Sequence, residues 1–232
     1  MIDKQRLANR LLTQDIILTE AQLNMLDRYA ELLCEWNEKI NLTAIVQSEE
    51  IENKHFFDSI MLASLPIIKG KLVDVGSGAG FPGMVIKIVK PEVDVTLMEP
   101  TGKRVTFLNA VAEELGLQIT VEKERAEEAA RKTWREVFDV ATARAVSSLP
   151  SLCEYCLPLV KKGGYFLPMK ADVREELQAA QTAVRILGAR LEKEIDYALP
   201  DGSQRTVLQF AKAQNTPPQY PRAGARIKNK PL

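Results

Sequence analysis

A glycine-rich segment directly follows a run of β-forming residues and limits the folds open to this chain. The segment LVDVGSGAGFPGMVIKI, residues 72–88, places four glycines in eight positions, and residues 78–83 read G-x-G-x-x-G. Glycines allow backbone conformations and a close approach of the backbone to a ligand that a Cβ atom would prevent. The pattern therefore predicts a strand that ends in a ligand-binding loop, with a helix after it.

Short β-rich runs alternate with helical stretches from residue 72 onward. The candidate strands are KLVDV, VDVTLM, QITVEK, VFDVATA and GYFLPMK, and the helices lie near 83–90, 102–115, 148–160 and 172–187. Such alternation predicts parallel strands joined by crossover helices in a doubly wound α/β sheet. RTVLQFAKA, near 205–213, follows a loop rather than a helix, and we add it as an edge strand that could run antiparallel.

The N-terminal third is predicted to be helical. Thr19 and Gln22 fit a capping box before a helix over 19–38, and another helix is expected over 48–64. With 232 residues and 46% hydrophobic content, the chain is long enough for one sizeable core. We divide it into a helical appendage (1–66), an α/β domain (67–213) and a basic tail (214–232).

No apolar run is long enough to span a membrane, and the first ten residues lack the apolar centre of a signal peptide. A cytoplasmic protein without membrane contact is expected. Three cysteines, including one C-x-x-C without a second pair or a nearby histidine, predict reduced thiols within a helix and no metal site.

The charges balance overall but are unevenly distributed. The chain has 31 basic and 31 acidic residues. No acid follows Asp201, whereas six basic residues do: Arg205, Lys212, Arg222, Arg226, Lys228 and Lys230. The tail therefore predicts either a frayed, solvated terminus or an arm that contacts phosphates, and the sequence leaves both open.

The glycine loop is compatible with two classes of nucleotide ligand. A dinucleotide would place its pyrophosphate at the start of the next helix, but Phe81 and Pro82 fill that turn and proline lacks an N–H. Asp74 adds a negative charge that suits a cationic ligand. Glu99 ends the second strand, where an acid can accept both ribose hydroxyls in either class.

S-adenosylmethionine combines an adenosine ribose with a positive sulfonium. After the third strand, Ala126 and Glu127 are placed to meet an adenine edge, although Glu127 could also be a solvated acid in the first turn of a helix. Acidic residues at the ends of three successive strands, together with the loop at Gly76, Gly78 and Gly80, favour a methyltransferase site.

The sequence resembles a known family over nearly its whole length. The motifs that carry the resemblance are EWNEKINLTAI, KHFFDSI, LVDVGSGAGFPGMVIKI, GKRVTFLNAVAEELGL, ARAVSSLP and YPRAGARIKNKPL. They resemble the bacterial 16S ribosomal RNA guanine-N7 methyltransferases, also called glucose-inhibited division protein B. One departure is Ala171 after Lys170, where the family pattern has glycine, which weakens any role that needs a positive φ there.

The resemblance implies a Rossmann-like, seven-stranded S-adenosylmethionine-dependent methyltransferase sheet with an N-terminal helical appendage. It implies S-adenosylmethionine as cofactor and 16S ribosomal RNA or the small ribosomal subunit as partner. Its cofactor residues correspond here to Gly76, Phe81, Ala126, Glu127 and Arg144.

Guanine N7 is an acceptor with a free lone pair, so its methylation requires no general base. Alignment of the reacting atoms is then the main task of the enzyme. We assign Lys103, Arg104, Arg125, Lys170 and the tail to positioning of phosphates. Lys103 and Arg104 could instead be solvated residues of a first helical turn.

Arg144 ends the fourth predicted strand and is the candidate catalytic residue. It could form an ion pair with Asp74 or Glu127, contact the target nucleotide, or do both. Asn41, His55 and Asp58 lie in the appendage. His55 and Asp58 share one helical face and read as a surface pair, and the resemblance retains all three as candidate substrate contacts.

Two other functions are weighed against the methyltransferase. An NAD-dependent oxidoreductase would be supported only by the loop and Glu99, and a noncatalytic ribosome-binding protein would be favoured by a degenerate loop, which this chain lacks. We expect a monomer.

Overall fold

The computed structural model describes residues 1–171 and 173–232. Within them, seven strands form one mixed sheet in the order β3-β2-β1-β4-β5-β7-β6. The bounds are β1 (Lys71–Val75), β2 (Asp94–Met98), β3 (Thr120–Glu122), β4 (Phe138–Arg144), β5 (Val160–Lys170), β6 (Ala189–Ala198) and β7 (Gln204–Lys212). The first five strands are parallel, and β7 is antiparallel to both neighbours. The predicted seven-stranded α/β fold is confirmed.

Helices precede the sheet and connect its parallel strands. The α-helices are α1 (Lys4–Leu12), α2 (Glu20–Ile40), α3 (Ser48–Glu50), α4 (Asp58–Ala63), α5 (Gly83–Val89), α6 (Gly102–Glu114), α7 (Ala126–Ala129), α8 (Leu149–Cys156), α9 (Arg174–Ile186) and α10 (Gly224–Asn229). A π-helical turn over Ile51–Phe57 joins α3 to α4, and a 3₁₀ turn over Leu157–Leu159 follows α8. Thr19 and Gln22 form the predicted capping box of α2.

One prediction about the end of the sheet was wrong, and one strand there was not predicted. Residues 204–212 form an antiparallel strand, but it lies between β5 and β6 rather than at the edge. The edge strand is β6, which the sequence analysis missed because ARLEKEIDYA is rich in charged residues. Most of β6 is at least partly exposed, and a solvated edge strand carries charges that hide the alternation of a half-buried strand.

Two helix ends also differ from prediction. The helix predicted over 148–160 ends as a 3₁₀ turn at Leu159, and Val160 already belongs to β5. The predicted start of the next helix, residue 172, lies outside the described residues, and α9 itself begins at Arg174.

The N-terminal helices share a core with the sheet. One hydrophobic cluster contains Leu26 and Phe56 from the helices together with Val95 and Leu97 from β2. The hydroxyl of Tyr29, in α2, donates a hydrogen bond to the carbonyl of Ala79 in the glycine loop. The helices of the appendage therefore support the loop directly, although the boundary at residue 66 stays a prediction.

The C-terminal tail is packed against the α/β domain. Arg135 donates hydrogen bonds to the carbonyl oxygens of Thr216 and Tyr220, at 2.7 and 2.8 Å. Arg222 pairs with the buried Glu154 of α8, and Ile227 in α10 is fully buried. Of the two alternatives that the sequence left open, the frayed terminus is the wrong one, because buried contacts hold this segment in place.

No helix in the described ranges is long and apolar enough to cross a membrane. Among the same residues, no three histidine, cysteine or acidic side chains are grouped so that they would hold a metal ion. Cys153 and Cys156 are buried free thiols in α8, and burial raises the pKa of each.

Candidate active site

The glycine loop connects β1 to α5 and adopts backbone conformations that favour glycine. Gly76, Gly78 and Gly80 have φ angles of +68°, +59° and +94°. A Cβ on Gly80 would lie 2.5 Å from the hydroxyl of Tyr29, so this position has no room for a side chain. A Cβ on Gly78 would come no closer than 3.8 Å to the carbonyl oxygen of Gly76, so the protein itself leaves room for a methyl group there.

Asp74 lies beneath this loop and is fully buried. Its Oδ2 accepts a hydrogen bond from the N–H of Gly83 at 2.9 Å, which fixes the first residue of α5. Its Oδ1 has no partner in the described part of the chain. Burial raises the pKa of Asp74 to about 7. The structure therefore places this predicted cofactor residue under the loop, as a support, rather than in a cleft.

Glu99 tethers the loop to the end of β2. Its Oε2 accepts a hydrogen bond from the N–H of Gly78 at 3.0 Å, and its Oε1 accepts one from Thr101 at 2.8 Å. The carboxylate is almost fully buried. Each oxygen keeps a second acceptor position, so contact with a ribose stays a prediction, but the observed contacts show Glu99 positioning the loop.

A first cleft, of about 280 Å³, opens at the carboxyl ends of the parallel strands. In open α/β sheets, ligands bind at this edge. The cleft is lined by backbone and side chains of Val75, Gly76, Met98, Pro100, Glu124, Arg125, Ala126, Glu127, Val146, Ser147, Tyr155 and Lys228. Three predicted cofactor residues therefore meet here, and Arg125, predicted to contact phosphates, joins them.

Glu127 is the buried acid of this cleft. It is 5% exposed, yet no hydrogen bond from another described residue reaches its carboxylate. A carboxylate that lines the cleft without a protein partner can accept hydrogen bonds from a ligand bound there. Glu127 is therefore not the solvated first-turn acid that the sequence also allowed.

Phe81 faces away from the first cleft. Its ring stacks on His55, with centroids 4.3 Å apart and planes at 10°, and on Tyr29 at 5.1 Å. It thus packs between the N-terminal helices and a second cavity. The structure does not bring Phe81 to the residues that line the first cleft.

The second cavity, of about 390 Å³, lies at the ends of β4 and β5. It is lined by Ile45, Lys54, His55, Asp58, Arg144, Ala145, Met169, Lys170, Ala171 and Arg205. Four residues predicted as catalytic or substrate contacts, His55, Asp58, Arg144 and Lys170, are therefore brought together, although the first and the last are more than a hundred positions apart in the chain.

Arg144 is held rigidly at one wall of this cavity. Its Nη1 donates to Asp58 Oδ2 at 2.9 Å and to the carbonyl of Lys54 at 2.7 Å. Its guanidinium carbon lies 5.3 Å from the ring centroid of Phe81. The predicted ion pair with Asp74 or Glu127 was wrong, because the appendage supplies a different carboxylate. The Nε–H and one N–H of Nη2 have no partner among the described residues.

His55 contacts the second terminal nitrogen of Arg144, Nη2. Its Nδ1 lies 3.1 Å from Arg144 Nη2, and its Nε2 lies 3.2 Å from the hydroxyl of Thr43. Because a guanidinium can only donate, Nδ1 must carry the lone pair and Nε2 the proton. Burial, together with the charge of Arg144, lowers the pKa of His55 to about 3. The ring is neutral.

Asp58 is also more buried than predicted. Its second oxygen accepts a hydrogen bond from the hydroxyl of Tyr197 at 2.7 Å, and Arg205 Nε lies 3.9 Å away. The description of His55 and Asp58 as a surface pair was wrong, since both are buried against the sheet.

Lys170 anchors the segment that follows β4. Its Nζ donates to the carbonyl of Ser147 at 2.9 Å and to Glu176 Oε2 at 2.7 Å. That segment separates the two spaces, because Ala145 lines the second cavity and Val146 lines the first cleft. Val146 also packs over Gly76, where a Cβ would lie 2.8 Å from its Cγ2.

Three predicted substrate residues lie outside both spaces. Asn41 ends α2 in the left-handed conformation, with φ of +49°, and is exposed. Lys103 is exposed in the first turn of α6, and the half-exposed Arg104 lies 3.8 Å from Glu99. Neither the cleft nor the cavity is lined by any of the three.

Sequence reasoning missed Tyr197, Val146 and the place of Arg205. Arg205 was counted only for its charge, whereas β7 carries it to the wall of the second cavity. Tyr197 lies in the strand that was not predicted. The motif ARAVSSLP contains Val146, but nothing in its pattern indicates that this side chain covers a glycine of another loop.

Comparison with known proteins yields a consistent set of relatives. The family model described as "GidB: rRNA small subunit methyltransferase G" matches residues 22–198. A Ribosomal RNA small subunit methyltransferase G from Lachnoclostridium phytofermentans is 46% identical over 221 residues, covering 93% of this chain and 91% of the relative. One from Lactococcus lactis subsp. cremoris is 42% identical over 228 residues and covers 94% of each chain.

Solved structures resemble the fold at lower identity. A SAM-dependent O-methyltransferase from Thermotoga maritima superimposes with a TM-score of 0.52 and 14% identity, covering 80% of this chain and 73% of that one. The relatives' names give no support to an NAD-dependent oxidoreductase or to a noncatalytic ribosome-binding protein.

Proposed function

This chain belongs to the GidB family, rRNA small subunit methyltransferase G, and on that basis we propose that it transfers methyl groups. In this proposal the protein transfers a methyl group from S-adenosylmethionine to N7 of a guanine in 16S ribosomal RNA. One observation carries the proposal: a cleft lined by a carboxylate without a protein partner and a cavity with a preorganised arginine adjoin across the segment Ala145–Val146.

The first cleft suits the cofactor. Gly76 presents bare backbone beside Val146, and Glu127 offers a carboxylate that can accept hydrogen bonds from the amino group of an adenine. Glu99 and Asp74 hold the loop and the start of α5 in the geometry that opens this cleft. S-adenosylmethionine, when bound, supplies a methyl group made electrophilic by its sulfonium.

The second cavity suits the acceptor base. The unpartnered N–H groups of Arg144 can donate to O6 of a guanine, while N7 must stay free because its lone pair attacks the methyl group. A cation beside the base opposes the positive charge that develops on N7. Asp58 offsets part of the charge of Arg144 at 2.9 Å, which lowers that penalty while the arginine positions the base.

The surrounding residues are consistent with a reaction that removes no proton. His55 is neutral, its Nδ1 is occupied by Arg144, and its Nε2–H points at Thr43. It is therefore not placed to accept a proton from a substrate. Guanine N7 has no proton to lose, and catalysis then rests on alignment and on the fixed donors of Arg144.

Basic residues around the two spaces would hold the RNA backbone. Arg125 and Arg205 line the cleft and the cavity, and Lys103 and Arg104 lie on α6 nearby. Arg226, Lys228 and Lys230 are exposed on the tail. Arg222 is instead paired with the buried Glu154, so we do not count it among the phosphate contacts. The partner is 16S ribosomal RNA or the small ribosomal subunit, and the protein acts as a monomer.

A direct binding experiment tests the cofactor half of the proposal. Isothermal calorimetry of the purified protein with S-adenosylmethionine should give saturable binding at one site, and NAD at the same concentrations should give none. Equal or preferential binding of NAD would contradict the proposal and support the oxidoreductase alternative.

A further inference from the structure

The C-terminal segment is anchored within reach of the first cleft. Glu154, fully buried in α8, receives four hydrogen bonds from Arg222: from its backbone N–H at 2.8 Å, from Nε at 2.8 and 3.1 Å, and from Nη2 at 2.6 Å. A buried, bidentate pair of this kind fixes position more strongly than an exposed one. The next residue of α8, Tyr155, already lines the cleft.

Gly224, two residues beyond this anchor, lies against the carboxylate of Glu127. A Cβ built on Gly224 would overlap Oε1 of Glu127 and lie 3.1 Å from its Cδ. Gly224 does not belong to the glycines with positive φ, so its backbone conformation is open to any residue. The glycine is therefore explained by the space that Glu127 occupies.

The short helix α10, which begins at Gly224, provides two further contacts beside the cleft. Ile227 is fully buried, and Lys228 lines the cleft together with Glu127. The segment thus has an anchor, a close contact and a lining side chain on one side of the cleft. A tail that served only to contact RNA phosphates would not need to pack against the acid of the nucleotide cleft.

We propose that Arg222, Gly224 and Lys228 form a wall of the cofactor cleft, in which Gly224 positions the carboxylate of Glu127 for the nucleotide. This inference rests on the proposed function, because it assumes that the first cleft binds S-adenosylmethionine. Gly224 and Arg222 act through Glu127 and are positioning residues. The wall limits the positions that the Glu127 carboxylate can take, so less ordering is left to occur when the ligand binds.

Gly224→Ala tests the inference with little disturbance of the fold. The added methyl group meets the flexible end of Glu127, so the carboxylate must move while the backbone is retained. Ala225→Ser is the matched control, because it adds one heavy atom to the next, exposed residue of α10. Calorimetry with S-adenosylhomocysteine, the demethylated product, measures the affinity without turnover.

We expect Gly224→Ala to bind about tenfold more weakly, a loss of the size of one good hydrogen bond. Ala225→Ser should bind as the unmodified protein does, and both variants should unfold at nearly the same temperature. In the Glu127→Ala background, adding Gly224→Ala should cause no further loss, since the double-mutant cycle isolates their interaction.

Normal binding by Gly224→Ala would overturn the inference. So would a loss of equal size in the Glu127→Ala background, because the glycine would then act independently of that carboxylate. Failure of the unmodified protein to bind S-adenosylmethionine or S-adenosylhomocysteine would instead overturn the proposed function, and the inference with it.

Discussion

Arg144 Nη2 lies 3.1 Å from His55 Nδ1, so a residue that can only donate hydrogen bonds fixes the proton of its neighbour. The imidazole is the neutral Nε2–H tautomer, and its ring stacks on Phe81. His55 is thereby a support for Arg144 and Phe81 and not a proton acceptor. Two residues that line the same cavity in direct contact, 89 positions apart in the chain, form one unit.

The state of this imidazole can be observed directly, because His55 is the single histidine of the chain. Burial and the nearby guanidinium lower its pKa to about 3, so nitrogen NMR should show an unchanging neutral Nε2–H ring between pH 5 and 8. A titration midpoint near the ordinary value of about 6.5 would show that the contact with Arg144 is not maintained in solution.

Asp74 predicts a pH dependence of stability. Its pKa is raised by burial from 3.8 to about 7, so the folded state binds more protons than the unfolded state between these values. The free energy of unfolding should therefore fall as the pH rises through this window, by up to about 4 kcal/mol at 1.36 kcal/mol per pKa unit.

Asp74→Asn should remove that contribution. Chemical denaturation at pH 4 and pH 8 should show the variant gaining several kcal/mol relative to the unmodified protein at the higher pH. A constant difference between the two proteins would contradict a protonated Asp74 in the folded state at low pH.

Arg144→Ala should slow methyl transfer without weakening cofactor binding. Arg144 lines the second cavity and not the first cleft, and removing a preorganised donor costs about 10²–10³-fold in rate in comparable sites. Single-turnover methylation at saturating RNA and cofactor measures this step. Recovery of the full rate at higher cofactor concentration would make Arg144 a cofactor ligand, as the family resemblance implied.

Gly78→Ala should weaken cofactor binding because the added methyl group would meet the bound ligand and no nearby protein atom. Gly78 and Gly163 both have positive φ, and a Cβ at either position meets no protein atom closely. Alanine should cost about 1–2 kcal/mol of stability at each. Only Gly78→Ala should also reduce the affinity for S-adenosylmethionine, because Gly163 lies near the start of β5 at the opposite end of the strands. Equal affinities in both variants would remove Gly78 from the site.

The parts of the site that follow strand ends were predictable from the sequence. Gly76 and Arg144 lie at the ends of β-rich runs, Ala126 and Glu127 lie a few residues beyond one, and parallel strands bring their carboxyl ends to one edge. The pairing of Arg144 with Asp58 was not predictable, because it depends on how the N-terminal helices dock on the sheet. The docking of Arg222 on Glu154 escaped prediction for the same reason, since these residues are 68 positions apart.

Mapping the methylated nucleotide tests the central claim most directly. Small ribosomal subunits, or their 16S RNA, from cells that lack the gene for this protein are incubated with the purified protein and S-adenosylmethionine, then digested and analysed by mass spectrometry. The account predicts a single new N7-methylguanosine in the 16S RNA, greatly reduced with Arg144→Ala. Transfer to an atom that carries a proton, such as guanine N1 or N2, or no methylation of either substrate, would contradict it.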